Sequence, residues 1–361
     1  MDSIKIRGKN VYLPIFFPDA TRGVVRSLDA LDILNCGLDG VLVNTYHLYK
    51  YPGDDYIANI GGISKFMNFK GLFVSDSGGF QIMSLIYKTG KGKITKEGVK
   101  FDKMLLTPEK SIEIQFNLGT DIIIALDYFT DPKANLDEIE TSVKITTEWA
   151  KRCKDEYEKQ IECRKLKKGG RPLLLAVIQG GRSKKMREKS ANDLLKIGFD
   201  GYGFGGWVID EHGKLDYEIS KFNAKLTPDS KIRFALGVGK PEDIVKCFGF
   251  GYHMFDCVLP TRDARHKRLY VYRTSDLDEI LSSDNFYKFY YLQRAKYLDQ
   301  EFFFKKIDKF CDCLTCTNYT LPYLTYLFKI NETLAFRLAT IHNLRFYTKL
   351  ISYLRSLNIS H

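Results

Sequence analysis

The sequence has no apolar run near the ~18 residues that a membrane-spanning helix needs, so an integral membrane protein is excluded as a reading. Its first residues, MDSIKIRG, lack an apolar signal region, and a cytoplasmic protein is the expectation. Internal repeats and low-complexity tracts are also missing, which rules out a solenoid or a long disordered linker. A disulfide framework is absent too. Five of the eight cysteines, Cys36, Cys153, Cys163, Cys247 and Cys257, stand singly, as reduced thiols do. Acidic residues are in deficit, 44 against 55 Lys and Arg, giving a net charge of +11. That field favours an acidic partner and says nothing about the fold.

A hydrophobic fraction of 44% over 361 residues supports a full core, with length for one large domain and a small one. Eight short apolar runs stand out, at 13–17, 41–44, 72–75, 122–126, 173–178, 201–204, 232–236 and 253–256. Strands buried on both faces read this way, as continuous apolar stretches rather than alternation. Amphipathic segments of helical length lie between several of them, at 137–158, 183–197 and 241–248. An α/β fold follows, either a (β/α)8 TIM barrel or an open doubly wound sheet; eight strands favour the barrel. Composition shifts after about residue 275, and a long helical pattern runs over 322–357.

In a barrel, reactive groups sit at the carboxyl ends of strands. Asp76, Asp127, Gln179 and Asp256 all close apolar runs. Asp256 leads into five basic residues: Arg262, Arg265, His266, Lys267 and Arg268. A lone carboxylate beside a cationic strip suits a nucleophile facing a polyanion. Asp76 precedes Ser77-Gly78-Gly79, where helix capping is the plain alternative. Asp127 and Gln179, with backbone amides of Gly205 and Gly206, offer donors and acceptors suited to a purine edge. Phe80 and Leu236 are candidates to cover the base's faces, or simply core residues. Cys311, Cys313, Cys316 and His342 have the spacing C-x-C-x2-C-x25-H of a closed structural zinc site. The alternative is three reduced thiols and a packed histidine.

Several segments together resemble the tRNA-guanine transglycosylase (queuine tRNA-ribosyltransferase) family. They are GGISKFMNFKGLFVSDSGGFQ at 61–81, TPEKSIEIQ at 107–115, VIQGG at 177–181, LGVGKPED at 236–243, MFDCVLPTR at 254–262, and the cysteine cluster with TIHN at 340–343. The resemblance implies a catalytic barrel over 1–280, an inserted zinc-binding subdomain over 281–345, and a last helix over 346–361 that returns to the barrel. It implies exchange of the wobble guanine of tRNA for a free 7-deazaguanine base, through a covalent aspartyl–tRNA intermediate. In that reading Asp256 is the nucleophile and Asp76 the general acid/base. Phe80, Asp127, Gln179, Gly205, Gly206, Leu236 and Glu211 bind the base. Lys240, Arg262 and Arg265 contact tRNA, the four-residue cluster holds Zn2+, and a bacterial-type homodimer is expected.

The chain departs from the family pattern at Phe129, Trp207 and Ile209, which border the pocket for the base's 7-substituent. With Glu211 kept, 7-aminomethyl-7-deazaguanine is favoured over queuine. Asp19 stands where an uncharged residue is usual. Two other readings compete: a non-catalytic tRNA-binding partner subunit, and a zinc-stabilised barrel hydrolase acting on a small substrate. Retention of both Asp76 and Asp256 weighs against the first.

Overall fold

Eight strands form one parallel sheet: β1 (Ile15–Pro18), β2 (Gly40–Val43), β3 (Leu72–Ser75), β4 (Ile122–Ile124), β5 (Leu173–Ile178), β6 (Gly201–Phe204), β7 (Ile232–Ala235) and β8 (Met254–Cys257). The computed structural model that shows them describes residues 1–131, 133–206 and 214–359, the last two as backbone. The strand order is β1-β8-β7-β6-β5-β4-β3-β2. Its two ends meet where Asp19 bridges Leu42 and the Ala20 N–H donates to the Leu42 carbonyl at 2.7 Å. The sheet is therefore a (β/α)8 barrel, nearly closed and joined at its seam by that bridge, rather than an open doubly wound sheet.

The apolar runs mark the strands because both faces are covered. Ile15, Phe17, Leu72, Val74, Ile122, Leu175, Val177, Phe234 and Met254 fill the interior. Phe16, Val41, Val43, Phe73, Ile123, Ala176 and Phe255 face the surrounding helices. An antiparallel hairpin, Ser3–Ile6 with Lys9–Tyr12, sends Ile6 and Val11 into the interior cluster and plugs the amino-terminal end. Phe17 and Phe234 meet there with ring centroids 6.1 Å apart, both fully buried. Truncating Phe17 to Ala at such a site costs about 3–5 kcal/mol.

The helices that position the site are α1 (Gly79–Thr89), α2 (Pro108–Leu118), α3 (Leu136–Cys163), α4 (Lys184–Ile197), α5 (Tyr217–Leu226), α6 (Pro241–Gly249) and α7 (Leu259–Arg265). Asn135 and Glu138 form a capping box that starts α3, which is why so polar a 28-residue segment begins cleanly.

The single helix expected over 322–357 is two. Helix α9 (Leu321–Lys329) follows the short α8 (Leu314–Asn318), and α10 (Thr333–Ile359) begins after a break. Asn331 has φ of 57°, a left-handed conformation that Asn tolerates and that no α-helix can continue through. Helix α10 runs unbroken past 345/346, so His342 and the barrel-packing residues share one helix. Tyr347 donates to the Gly239 carbonyl at 2.7 Å and packs on Phe16 at 4.8 Å. Arg355 reaches back to Asp39 at 2.6 Å.

Candidate active site

The carboxyl ends of the strands surround a cavity of about 240 Å³. Asp76, Phe80, Asp127, Gly205, Gly206, Leu236 and Asp256 all line it. Residues up to 180 positions apart thus meet at one barrel mouth because each lies at or just past the carboxyl end of a strand. Asp76 is gripped through both oxygens: Oδ2 accepts from Asn44 Nδ2 at 2.6 Å, and Oδ1 from the N–H groups of Thr45 at 2.9 Å and Gly78 at 3.0 Å. It does not cap α1; its Oδ1 closes a turn onto Gly78, whose φ of 78° lets the chain reverse. Burial nevertheless raises its pKa to about 6, because desolvation of the charge outweighs those donors.

Asp256 lies within β8 and accepts one hydrogen bond among the described residues, from the Gly237 N–H at 2.9 Å. Gly237 can aim that N–H because its φ is +72°. With one donor, burial dominates, and the negative charges of Asp76 and Asp19 add to it; the Asp256 pKa is raised to about 7. The charge of Asp76 thus adds to burial in favouring the protonated form of Asp256. Displacement by Asp256 with acid assistance from Asp76 uses the minor of the two one-proton arrangements, about one pair in ten by these values, since the higher pKa places the proton mainly on Asp256.

The opposite wall is built for a flat polar edge. Gln179, fully buried after β5, does not line the cavity itself and joins the site through Asp127, whose Oδ2 accepts from its Nε2 at 2.6 Å. Among the described residues the Gln179 Oε1 is buried without a partner, an acceptor that calls for a ligand donor. Burial raises the Asp127 pKa to about 6, and Gln179 pulls it back down. Gly205 has no room for a side chain: a Cβ there would stand 2.2 Å from Val177 Cγ1 and 2.8 Å from Gln179 Nε2. Phe80 is 48% exposed in the first turn of α1, its ring against Phe129 at 4.8 Å and 72°. Leu236 is half-buried on the strand-seven side. An aromatic face, an aliphatic face and an amide–carboxylate edge together suit a purine.

The family model described as Queuine tRNA-ribosyltransferase matches residues 1–357. The chain belongs to that family. It is therefore a tRNA-modifying pentosyltransferase. It is 38% identical over 354 residues to a queuine tRNA-ribosyltransferase of Mannheimia succiniciproducens, covering 96% of this chain and 86% of the relative. It is 37% identical over 348 residues to one of Staphylococcus aureus, covering 95% and 84%.

In this queuine tRNA-ribosyltransferase family member the basic residues after Asp256 do not form one free strip. Arg262 and His266 are exposed, on and just past α7. Arg268 is instead held by Asp263 at 2.5 Å over the Phe289 ring, and Lys267 points to the Phe328 carbonyl at 3.4 Å. Arg265 is half-buried in the field of Asp19, its Nη1 enclosed and unpartnered among the described residues. Asp19 now has a place: its Oδ1 accepts from the Thr261 hydroxyl at 2.5 Å, joining the barrel seam to the first turn of α7. Lys240 is exposed at the start of α6. Trp207, Ile209 and Glu211 lie outside the described residues.

Cys311, Cys313, Cys316 and His342 converge, with all donor atoms within 4.8 Å of one another. His342 Nδ1 is 3.9 Å from Cys313 Sγ and 3.1 Å from Cys316 Sγ. A tetrahedron with bonds of ~2.3 Å has edges of about 3.8 Å, so the four residues fit a metal ion. The Nε2–H of His342 donates to the Tyr270 carbonyl at 2.6 Å, which leaves Nδ1 facing the sulfurs. Among the described residues no helix is long and apolar enough to cross a membrane.

Sequence reasoning missed Asn44, Thr45 and the Gly237 N–H, the groups that hold the two carboxylates. Asn44 had one visible signal, a polar residue closing the second apolar run.

Proposed function

We propose that the chain exchanges guanine at the wobble position of tRNA for a 7-deazaguanine base by double displacement at the ribose C1′. The carrying observation is the pairing of Asp76 and Asp256 at one cavity beside the Asp127–Gln179 edge. Asp256 attacks C1′ as the carboxylate, and the C1′–N9 bond to guanine breaks. Asp76 gives its proton to the departing base. A glycosyl ester joins Asp256 to the tRNA. Asp76, now ionised, takes the N9 proton of the incoming base, N9 bonds to C1′, and the ester opens. Two inversions retain the sugar's configuration, as in retaining glycosidases.

Asp127, Gln179 and Gly206 read the base edge, and Phe80 and Leu236 sandwich it. The free base is 7-aminomethyl-7-deazaguanine: Phe129 narrows the wall beside Phe80, and the Glu211 carboxylate suits an ammonium. Lys240, Arg262 and Arg265 bind phosphates of the anticodon arm, a loop where turning a base outward is cheap. The cluster ion is zinc, with a structural role. Two copies assemble through the face beside it, where Tyr319 and Tyr323 stack at 5.5 Å and Tyr326 and Ile330 are 49% and 51% exposed. The setting is the cytoplasm. Incubating the chain with a tRNA transcript, labelled guanine and competing deazaguanines tests this. Incorporation at the wobble position supports it; no label in tRNA refutes it, and queuine outcompeting the smaller base overturns the choice of substrate.

A further inference from the structure

A fully buried arginine lies behind the cavity wall, with no carboxylate touching it among the described residues. Arg187, in the first turn of α4, is 0% exposed. Its Nε donates to the Gly181 carbonyl at 2.8 Å, and Nη1 to the Ile178 carbonyl at 3.2 Å and Asn223 Oδ1 at 2.9 Å. Its Nη2 donates to the Gly205 carbonyl at 2.9 Å, and the guanidinium lies over the Phe204 ring at 4.7 Å. Burying a cation among neutral acceptors is unfavourable unless every donor is used. Core stability alone is served as well by a well-packed apolar side chain, so the charge has another use.

The carbonyls it gathers come from the end of β5, the loop after it and the loop after β6. Ile178 and Gly181 flank Gln179; Gly205 precedes Gly206. The same helix also holds the Gln179 backbone, whose N–H donates to Ser190 Oγ at 3.2 Å. The loop presses on it so closely that a Cβ at Gly180 would meet Arg187 N at 2.6 Å. We propose that Arg187 is a positioning residue for base recognition. Its planar fork ties the loop after β5 to the loop after β6 and so sets the distance between the Gln179 amide and the Gly206 backbone. Lysine cannot replace it, since a single ammonium reaches one loop and not both.

This role rests on the transglycosylase reading, and the test separates the two. Guanine exchange into a tRNA transcript is measured for the wild type, Arg187→Lys and Asn223→Ala, with tRNA affinity and melting midpoint alongside. For folded Arg187→Lys the guanine KM rises about 10–100-fold, while tRNA affinity stays at the wild-type value and kcat falls far less. Asn223→Ala removes one prop and keeps the charge; its guanine KM rises by about threefold. If Arg187→Lys does not fold, this second variant decides. A folded Arg187→Lys with wild-type guanine KM overturns the proposal, as does a parallel loss of tRNA affinity. So does an unfolded Arg187→Lys joined to an unchanged Asn223→Ala. A wild-type chain that exchanges no guanine sinks the transglycosylase reading, and this role with it.

Discussion

Changing pH perturbs the carboxyl pair directly, and the expected profile can be worked out. In the proposed mechanism Asp256 attacks as the carboxylate, and its pKa is raised to about 7 by burial and by the charges of Asp76 and Asp19. A raised value means the nucleophile is lost as pH falls. At pH 5 about one molecule in a hundred has Asp256 ionised; because the reactive form, Asp256 ionised with Asp76 protonated, reaches only about 6% near pH 6.5, kcat/KM falls about sixfold from its maximum. In the same mechanism Asp76 carries the proton for the leaving guanine, and burial raises its pKa to about 6. At pH 8 about one in a hundred remains protonated, and activity falls again by a similar factor. The expected kcat/KM profile is a narrow bell centred between these two values, belonging to the pair rather than to either residue. The assay is guanine exchange into tRNA at fixed ionic strength, so that phosphate binding does not drift with buffer. A profile flat from pH 5 to pH 8 would refute the shared-proton argument.

Three further outcomes follow from the geometry. Gly205→Ala places a methyl 2.2 Å from Val177 Cγ1 and 2.8 Å from Gln179 Nε2. Relieving such an overlap costs about 1–3 kcal/mol, so the guanine KM rises about 5–150-fold; an unchanged KM would take Gln179 away from the base. Cys313→Ser should cut metal content from about one ion per chain toward none and lower the melting midpoint by at least about 5 °C; retained stoichiometry would contradict the four-ligand site. Arg262→Ala should weaken tRNA binding and reduce the salt slope of the affinity by about 1, whereas Arg268→Ala should leave that slope alone because Asp263 already occupies its guanidinium.

The barrel is legible in the sequence for a physical reason. Parallel strands buried on both faces need unbroken apolar runs, and polar residues closing those runs stand where a barrel keeps its chemistry. Asp76, Asp127, Gln179 and Asp256 therefore announce themselves. What holds them does not. Asn44 and Thr45 reach Asp76 across more than 30 positions, and Arg187 lies inside an ordinary amphipathic pattern. Charge alone also misleads: five basic residues after Asp256 look equivalent, yet Arg268 and Lys267 are tied to their own fold. The break at Asn331 is invisible to periodicity, because the apolar stripes of the helices on either side continue in phase across it closely enough to read as one.

The central claim is a bond between one carboxylate and one sugar. Mixing the chain with tRNA, quenching in denaturant before the incoming base is added, and mapping the adduct by mass spectrometry tests it most directly. A tRNA fragment esterified to the peptide carrying Asp256, and absent from Asp256→Asn, is the expected result. A reaction that swaps the base with no adduct, or an adduct on any other residue, would contradict it.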